Sequence, residues 1–303
     1  LPHDGKGGAF VAEIRRAVLA GELRAAMHSL KEVPGNEDTP GLVIGATLPR
    51  DPPGDVLVLR PGVSLDEIKR SHGNEFKVDS NAVRRAAYAR GLFPDVEMIH
   101  FRGAADTRIR KLDHLEKQRL PDGGAVGPAD ALIMARSGLE SVGLADRIAY
   151  EFSPQEMQSV VGQGIVAVEC VERDWSTRRI LALIDDQTAH RCANAEREVH
   201  WVLNGHCNSP ISGFSTIAGE RMSSSATVLD HGGGVFIEAS RSGPADRPRE
   251  LDRAVGLELL QKARPTSSSA VGRFDCREAQ LLYARTRFSI CSTWAIGVSG
   301  KIP

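Results

Sequence analysis

The chain has few cysteines: Cys170, Cys192, Cys207, Cys276 and Cys291, odd in number and never in a CxxC pair. That spacing excludes a clustered thiolate metal site and a disulfide framework, and it fits a reducing compartment, here taken as the cytoplasm with an organelle left open. No apolar run reaches membrane-spanning length, so no membrane partner is expected. Neither sign of charge dominates. With 38 basic against 39 acidic residues and a net charge of −1, the total gives no reason to expect nucleic acid. The nine histidines are dispersed and no HExxH occurs, so no metal is expected. VGQGIVA, at 161–167, has glycines but neither the dinucleotide fingerprint nor the phosphate-loop lysine, and no GxSxG elbow is present. A starting methionine, a basic leader and an apolar signal segment are also missing; LPHDGKGGAF reads as though entered in mid-domain.

With 303 residues, the chain is long enough for two or three compact domains. FVAEIRRAVLAGELRAAM, at 10–27, has helical spacing, with Phe10, Ile14, Ala17 and Val18 on one face and Gly21 able to end it. GLVIGATL at 41–48 and DVLVLRPG at 55–62 read as strands. LDEIKR is a short helix, and NAVRRAAYARGLFP is a longer one with Ser80 or Asn81 as cap. VEMIHFRG reads as a strand, and Thr107 caps a basic helix TRIRKLDHLEKQRL. PDGGAVGP, at 121–128, has the composition of a flexible loop. ADALIMARSGL returns as an apolar strand or the edge between strand and helix, and IVAVECV as a short buried strand, which makes Cys170 a core residue, as is Cys192. Two helices follow, over 176–186 and 188–203, then antiparallel strands within 223–243 and a helix at 250–263. This alternation argues α/β architecture with mostly parallel sheets.

Three places carry residues suited to chemistry. Arg84 and Arg85 lie side by side near a helix start, Arg102 ends a strand, and Arg108 lies one turn into the next helix. At strand ends such a set forms a cleft for an acidic ligand; the bland alternative is a solvated basic helix face. NGHCNSP, at 204–210, puts Cys207 on a loop, where a thiol is reactive if cations lie nearby and inert if it is buried. MHSLKEVPG, at 27–35, places Lys31 and Glu32 before a turn; a carboxylate beside a cleft can stabilise a cationic intermediate, although most such pairs are merely solvated.

Together these segments resemble the porphobilinogen deaminase (hydroxymethylbilane synthase) family over roughly residues 5–260. AMHSLKEVP is similar to the family's AVHSxKDVP. VRRAAYARGLFPDVEMIHFRGAADTRIRKLD is similar to its LRR…RGNxxTRLxKL region. VGQGIVAVE and AEREVHWVLNGHCNSPISG complete an ordered set of motifs. The resemblance implies an α/β fold with two periplasmic-binding-protein-like lobes, the first incomplete, and a small α+β third domain carrying the cofactor cysteine. Residues 1–52 and 165–183 fall to the first lobe, 53–164 to the second lobe with its arginine-rich cleft, 184–264 to the third domain, and 265–303 to a divergent tail.

The implied activity is a deaminating head-to-tail condensation of four porphobilinogen molecules to hydroxymethylbilane, a step of tetrapyrrole and heme biosynthesis. It is primed by a dipyrromethane cofactor attached through Cys207. In this reading Glu32 relieves positive charge on the reacting pyrrole, assisted by Lys31. Arg84, Arg85, Lys31 and Glu32 hold the cofactor, and Arg102, Arg108 and Lys6 hold the substrate carboxylates. The partner is a small molecule, and the chain is expected to be a monomer unless another chain covers the incomplete first lobe.

Several positions depart from the family pattern. Glu32 replaces an aspartate, and a misplacement of about 1 Å can cost roughly a hundredfold in rate. Ser141 replaces an arginine, Asn81 and Ala82 replace paired serines, Ala104 an asparagine and Ala12 a lysine. The family's opening strand–helix–strand portion has no counterpart, which leaves sheet edge and apolar surface to be covered. Two further readings therefore stand beside the enzyme: a weak or inactive homologue that binds pyrrole polycarboxylates, and a two-lobed module for another small anion.

Overall fold

The computed structural model describes residues 9–37, 39–70, 76–93, 95–206, 208–234 and 236–263. From the amino end come α1 (Ala9–Leu19), β1 (Ala25–Ser29), β2 (Leu42–Thr47), β3 (Asp55–Leu59), α2 (Leu65–Arg70), β4 (Lys77–Asp79) and α3 (Val83–Leu92). β5 (Glu97–Ile99), α4 (Ala105–Asp113), β6 (Gln118–Arg119), β7 (Ala125–Val126), β8 (Ala131–Ala135), α5 (Arg136–Glu140) and β9 (Tyr150–Glu151) follow. The remainder is β10 (Val166–Val171), α6 (Trp175–Leu181), α7 (Gln187–Leu203), β11 (Ile211–Ala218), β12 (Arg221–Leu229), β13 (Phe236–Pro244) and α8 (Pro248–Lys262).

The largest sheet has the order β5-β4-β8-β3-β9. Its central strands DVLVL and ALIMA are buried on both faces, as their unbroken apolar runs require. Leu57, Val78, Ala131 and Ile133 point to one side, where Ala87, Tyr88 and Ala89 of α3 cover them. Val56, Val58, Leu132 and Met134 point to the other, against Ile109 and Leu112 of α4. Each such large side chain contributes about 1.5–3 kcal/mol by leaving water. The sheet therefore fixes α3 and α4 on its opposite faces, and these helices carry three of the four arginines singled out above.

A second sheet, β1-β10-β2, is antiparallel throughout, with a register shift between Val168 and Glu169. The third, β11-β12-β13, is an antiparallel meander. Val199 and Leu203 of α7 with Val255 and Leu259 of α8 pack on its Ile211, Ala226 and Ala239.

Four sequence expectations are corrected. The sheets are not mostly parallel: among the described residues only the β4–β5 and β4–β8 pairings are, because the other strands return through antiparallel crossings. The helix expected over 10–27 stops at Leu19, where Gly21 turns left-handed (φ 76°) and residues 25–29 instead pair with β10. The basic helix begins at Ala105, with Ala104 rather than Thr107 at the cap, and ends at Asp113. PDGGAVGP is no formless loop, since Ala125 and Val126 pair with Arg119 and Gln118 in a hairpin. No helix among the described residues is long and apolar enough to cross a membrane.

Candidate active site

Asp55 opens β3 and is fully buried. A carboxylate in that position needs partners, and α3 supplies two. Arg84 Nη2 donates to Asp55 Oδ2 at 2.5 Å, and Arg85 Nε donates to Oδ1 at 2.8 Å. Burial alone pushes Asp55 upward, but Arg84 and Arg85 together outweigh it and hold the carboxyl below its ordinary range. Gln163 ties the cluster from a third direction. Its Nε2 donates to Asp55 Oδ1 (3.0 Å) and Pro53 O (2.5 Å), and its Oε1 accepts from Arg85 Nη2 (3.1 Å).

The glycine after Gln163 is required for this. Gly164 has φ 83°, and a Cβ there would lie 2.3 Å from the Asp51 carbonyl oxygen. The VGQG motif thus brings Gln163 against the start of β3.

Lys31 and Glu32 lie on a single tight turn after β1, fastened by Leu30 N donating to Ile165 O (2.8 Å). Lys31 is half-buried and Glu32 is exposed. Burial, reinforced by the cation of Arg85, pulls the Lys31 ammonium down to about 8, against the attraction of Glu32 and Asp55; Arg84 adds to the lowering. Lys31 therefore sits in the same electrostatic neighbourhood as both guanidinium groups. Arg84 keeps one buried donor, Nε, without a hydrogen-bond partner among the described residues.

A second cluster forms around Asp79 at the end of β4. Arg108 Nε donates to Asp79 Oδ2 at 2.8 Å, and the Phe101 amide donates to Oδ1 at 2.8 Å. Burial raises Asp79 here, and the single cation Arg108 only partly offsets it. Arg102 does not end a strand; it follows β5 by a short link and is exposed, with its carbonyl accepting from Lys111 Nζ at 2.9 Å.

The structure thus gathers Arg84, Arg85 and Lys31, buries Arg108 separately on its own aspartate, and leaves Arg102 and Glu32 at the surface. Arg84 and Arg85 are neither a solvated face nor a free ring of cations: both pair with the buried Asp55. Lys6 and Cys207 lie outside the described residues. Beside position 207, Asn208 N donates to His206 Nδ1 at 3.2 Å and Ser209 N to His206 O at 2.8 Å. Cys170 and Cys192 are buried and free, and burial pushes the Cys192 thiol up to about 12. Neither is a nucleophile.

Sequence reasoning missed Asp55, Asp79 and Gln163. A signal existed for the first: an acid opening the otherwise apolar DVLVL must find a cation once that strand is central. Among the described residues no set of three or more His, Cys, Asp or Glu side chains is arranged for a metal ion.

Comparison with known proteins places the chain in a class. A family model described as "Porphobilinogen deaminase, dipyromethane cofactor binding domain" matches residues 1–179. Porphobilinogen deaminase 2 of Streptomyces coelicolor is 36% identical over 262 residues, covering 86% of this chain and 78% of that protein. The porphobilinogen deaminase of Syntrophobacter fumaroxidans is 34% identical over 260 residues, covering 86% and 79%. The chain belongs to the porphobilinogen deaminase family. Among solved structures, a putative sulfonate-binding protein SsuA of Methylobacillus flagellatus covers 64% of this chain and 55% of its own at 14% identity and a TM-score of 0.33, too loose a likeness to inform the architecture.

Proposed function

We propose that this chain is a transferase that condenses four porphobilinogen molecules head to tail into hydroxymethylbilane on a dipyrromethane joined to Cys207. The observation that carries the reading is the charge imbalance around Asp55. Two desolvated guanidinium groups share one buried carboxylate, a half-buried ammonium lies in the same field with Glu32, and Arg84 Nε has no partner among the described residues. Excess positive charge away from water is costly until an anion joins it. Each pyrrole of the proposed ligand brings acetate and propionate groups, which Arg84, Arg85 and Lys31 are suited to receive. The unpartnered donor is where such a group fits.

When bound, the dipyrromethane supplies a tethered primer that keeps each lengthening product at high effective concentration. The residues of the chain have separate tasks. Glu32 stabilises positive charge on the pyrrole undergoing loss of ammonia. Lys31, titrating near 8, exchanges a proton at Nζ within the working range. Arg102 and Arg108, with Lys6, steer incoming carboxylates. The first lobe comprises 1–52 and 165–183, the second 53–164 and the third 184–264, with the tetrapyrrole chemistry between the lobes, in a monomer of the cytoplasm.

Intact mass tests this directly: the purified chain should carry two covalently added pyrrole units, absent from Cys207→Ala. Porphobilinogen turnover should fall at least tenfold in Glu32→Gln if that carboxylate bears the charge. A specific observation favours one other reading: Glu32 is exposed and one methylene longer than the family's aspartate, which suits a weakly active binder of pyrrole polycarboxylates. An unmodified mass with retained porphobilinogen binding would select it; binding of phosphate alone would select a small-anion module.

A further inference from the structure

Gln158 stands outside the cluster just described, yet it fastens one member of it. It lies between β9 and β10, 8% exposed, where the second lobe meets the β11–β13 sheet. Its main-chain oxygen accepts from Arg84 Nη1 at 2.6 Å. Its side chain is bound on every side. Oε1 accepts from Ser212 Oγ (2.8 Å) and Thr227 Oγ1 (2.9 Å), while Nε2 donates to Ser225 Oγ (2.6 Å) and Ser225 O (3.2 Å). Next to it, Ser159 O accepts from Gly213 N at 3.0 Å. Ser212 Oγ also meets the Tyr88 hydroxyl at 3.1 Å, one turn along α3 from Arg84.

An arginine on a buried helix has several rotamers, and a carboxylate with two cations on it does not by itself choose among them. Asp55 takes Nη2 of Arg84; the Gln158 carbonyl takes Nη1. These two acceptors fix the guanidinium plane and leave Nε as the unpartnered donor. The carbonyl is only as fixed as its residue. Here the residue is immobilised by three side chains of another sheet, so the β11–β12 pair sets the orientation of Arg84.

We propose that Gln158 is a positioning residue for Arg84, through which the third sheet orients the guanidinium that receives an acidic ligand group. The ligand part rests on the proposed function above; the placement of Arg84 does not. A full network of this kind in a low-dielectric setting loses more than one bond when one member is removed. The same charge cluster offers a readout needing no ligand. Lys31 is held down to about 8 by burial first and then by the neighbouring cations, Arg85 and Arg84 among them.

The experiment uses the full chain with Gln158→Leu, which keeps the volume and removes every side-chain hydrogen bond. Amine labelling of Lys31 is followed against pH by mass spectrometry, alongside circular dichroism and porphobilinogen binding. In the folded Leu variant the Lys31 midpoint should rise and porphobilinogen should bind about tenfold more weakly. A folded Leu variant with an unmoved Lys31 midpoint overturns the proposal. Should that variant not fold, the pair Ser212→Ala and Thr227→Val loosens Gln158 from the opposite side, and the same midpoint decides. If the midpoint moves while the wild type binds no porphobilinogen, the placement of Arg84 stands and the functional reading above is what fails.

Discussion

Two clusters in the large sheet are built alike and behave oppositely. At the start of β3, Asp55 takes two guanidinium groups; at the end of β4, Asp79 takes one. Both carboxylates are fully buried. Asp55 is nonetheless held below its ordinary range, because two cations outweigh its desolvation, whereas Asp79 is raised because one does not. A third buried acid completes the series. Asp252 of α8 meets no guanidinium among the described residues; burial raises it to about 7, hydrogen bonds from Ser224 and Ser215 only moderate that, and Glu196 and Glu198 push it further. Among these three acids the cations in contact set the direction of the shift, and around Asp55 two guanidinium groups against one carboxylate leave net positive charge for a ligand.

The largest effect should come from Asp55→Asn, which strands two buried guanidinium groups and should cost about 3–5 kcal/mol by denaturant titration. Asp55, depressed in the fold, contributes stability that is present above its ordinary 3.8 and lost as pH falls through its lower folded value. The penalty of Asp55→Asn should therefore shrink in acid, and a loss under about 1 kcal/mol at neutral pH would mean that the guanidinium groups reach water.

Next in size, Asp252→Asn should stabilise. Between its ordinary 3.8 and about 7 the folded chain binds the extra proton, so wild-type stability falls as pH rises through that window. The variant should lose this decline and gain on the order of 1–3 kcal/mol at about pH 8, with little gain at about pH 4. Melting curves at the two pH values check it; equal gains would refute the assignment.

Asp79→Asn strands one buried guanidinium rather than two while the Phe101 amide keeps an acceptor, so it should cost less than Asp55→Asn, about 2 kcal/mol. Its pH trend should be opposite to that of Asp55→Asn. A raised carboxyl loses stabilising effect as pH rises above 3.8, so this penalty should be smaller at neutral pH than in acid. Parallel trends for the two variants would break the comparison. Smallest of all, Arg102→Ala should leave stability within about 0.5 kcal/mol and weaken porphobilinogen binding about twofold to fivefold, read by isothermal titration.

Much of this arrangement was legible beforehand. The apolar run DVLVL read as a strand and ALIMA as a strand or the edge between strand and helix, and the embedded Cys170 and Cys192 read as core; the structure makes both runs central strands and buries both thiols. The motif around Lys31 and Glu32 and the paired arginines identified the family. Less legible were the ends of elements: Gly21 and the β1–β10 pairing overrode helical spacing after Leu19, because the left-handed glycine ends the helix and the strand then buries Ala26 and His28. The parallel-sheet expectation failed because alternation of elements does not specify strand direction.

Periodicity and motif, both local properties, determined which segments became strands and helices, to which family the chain belongs, and which arginines to watch. Tertiary structure alone decided what those arginines face. Arg84 and Arg85 meet an aspartate 29 and 30 positions away, and Gln163 reaches that same aspartate across 108. Such pairings depend on strand order and burial, and desolvation then converts ordinary surface-type charges into a fixed, positively biased site.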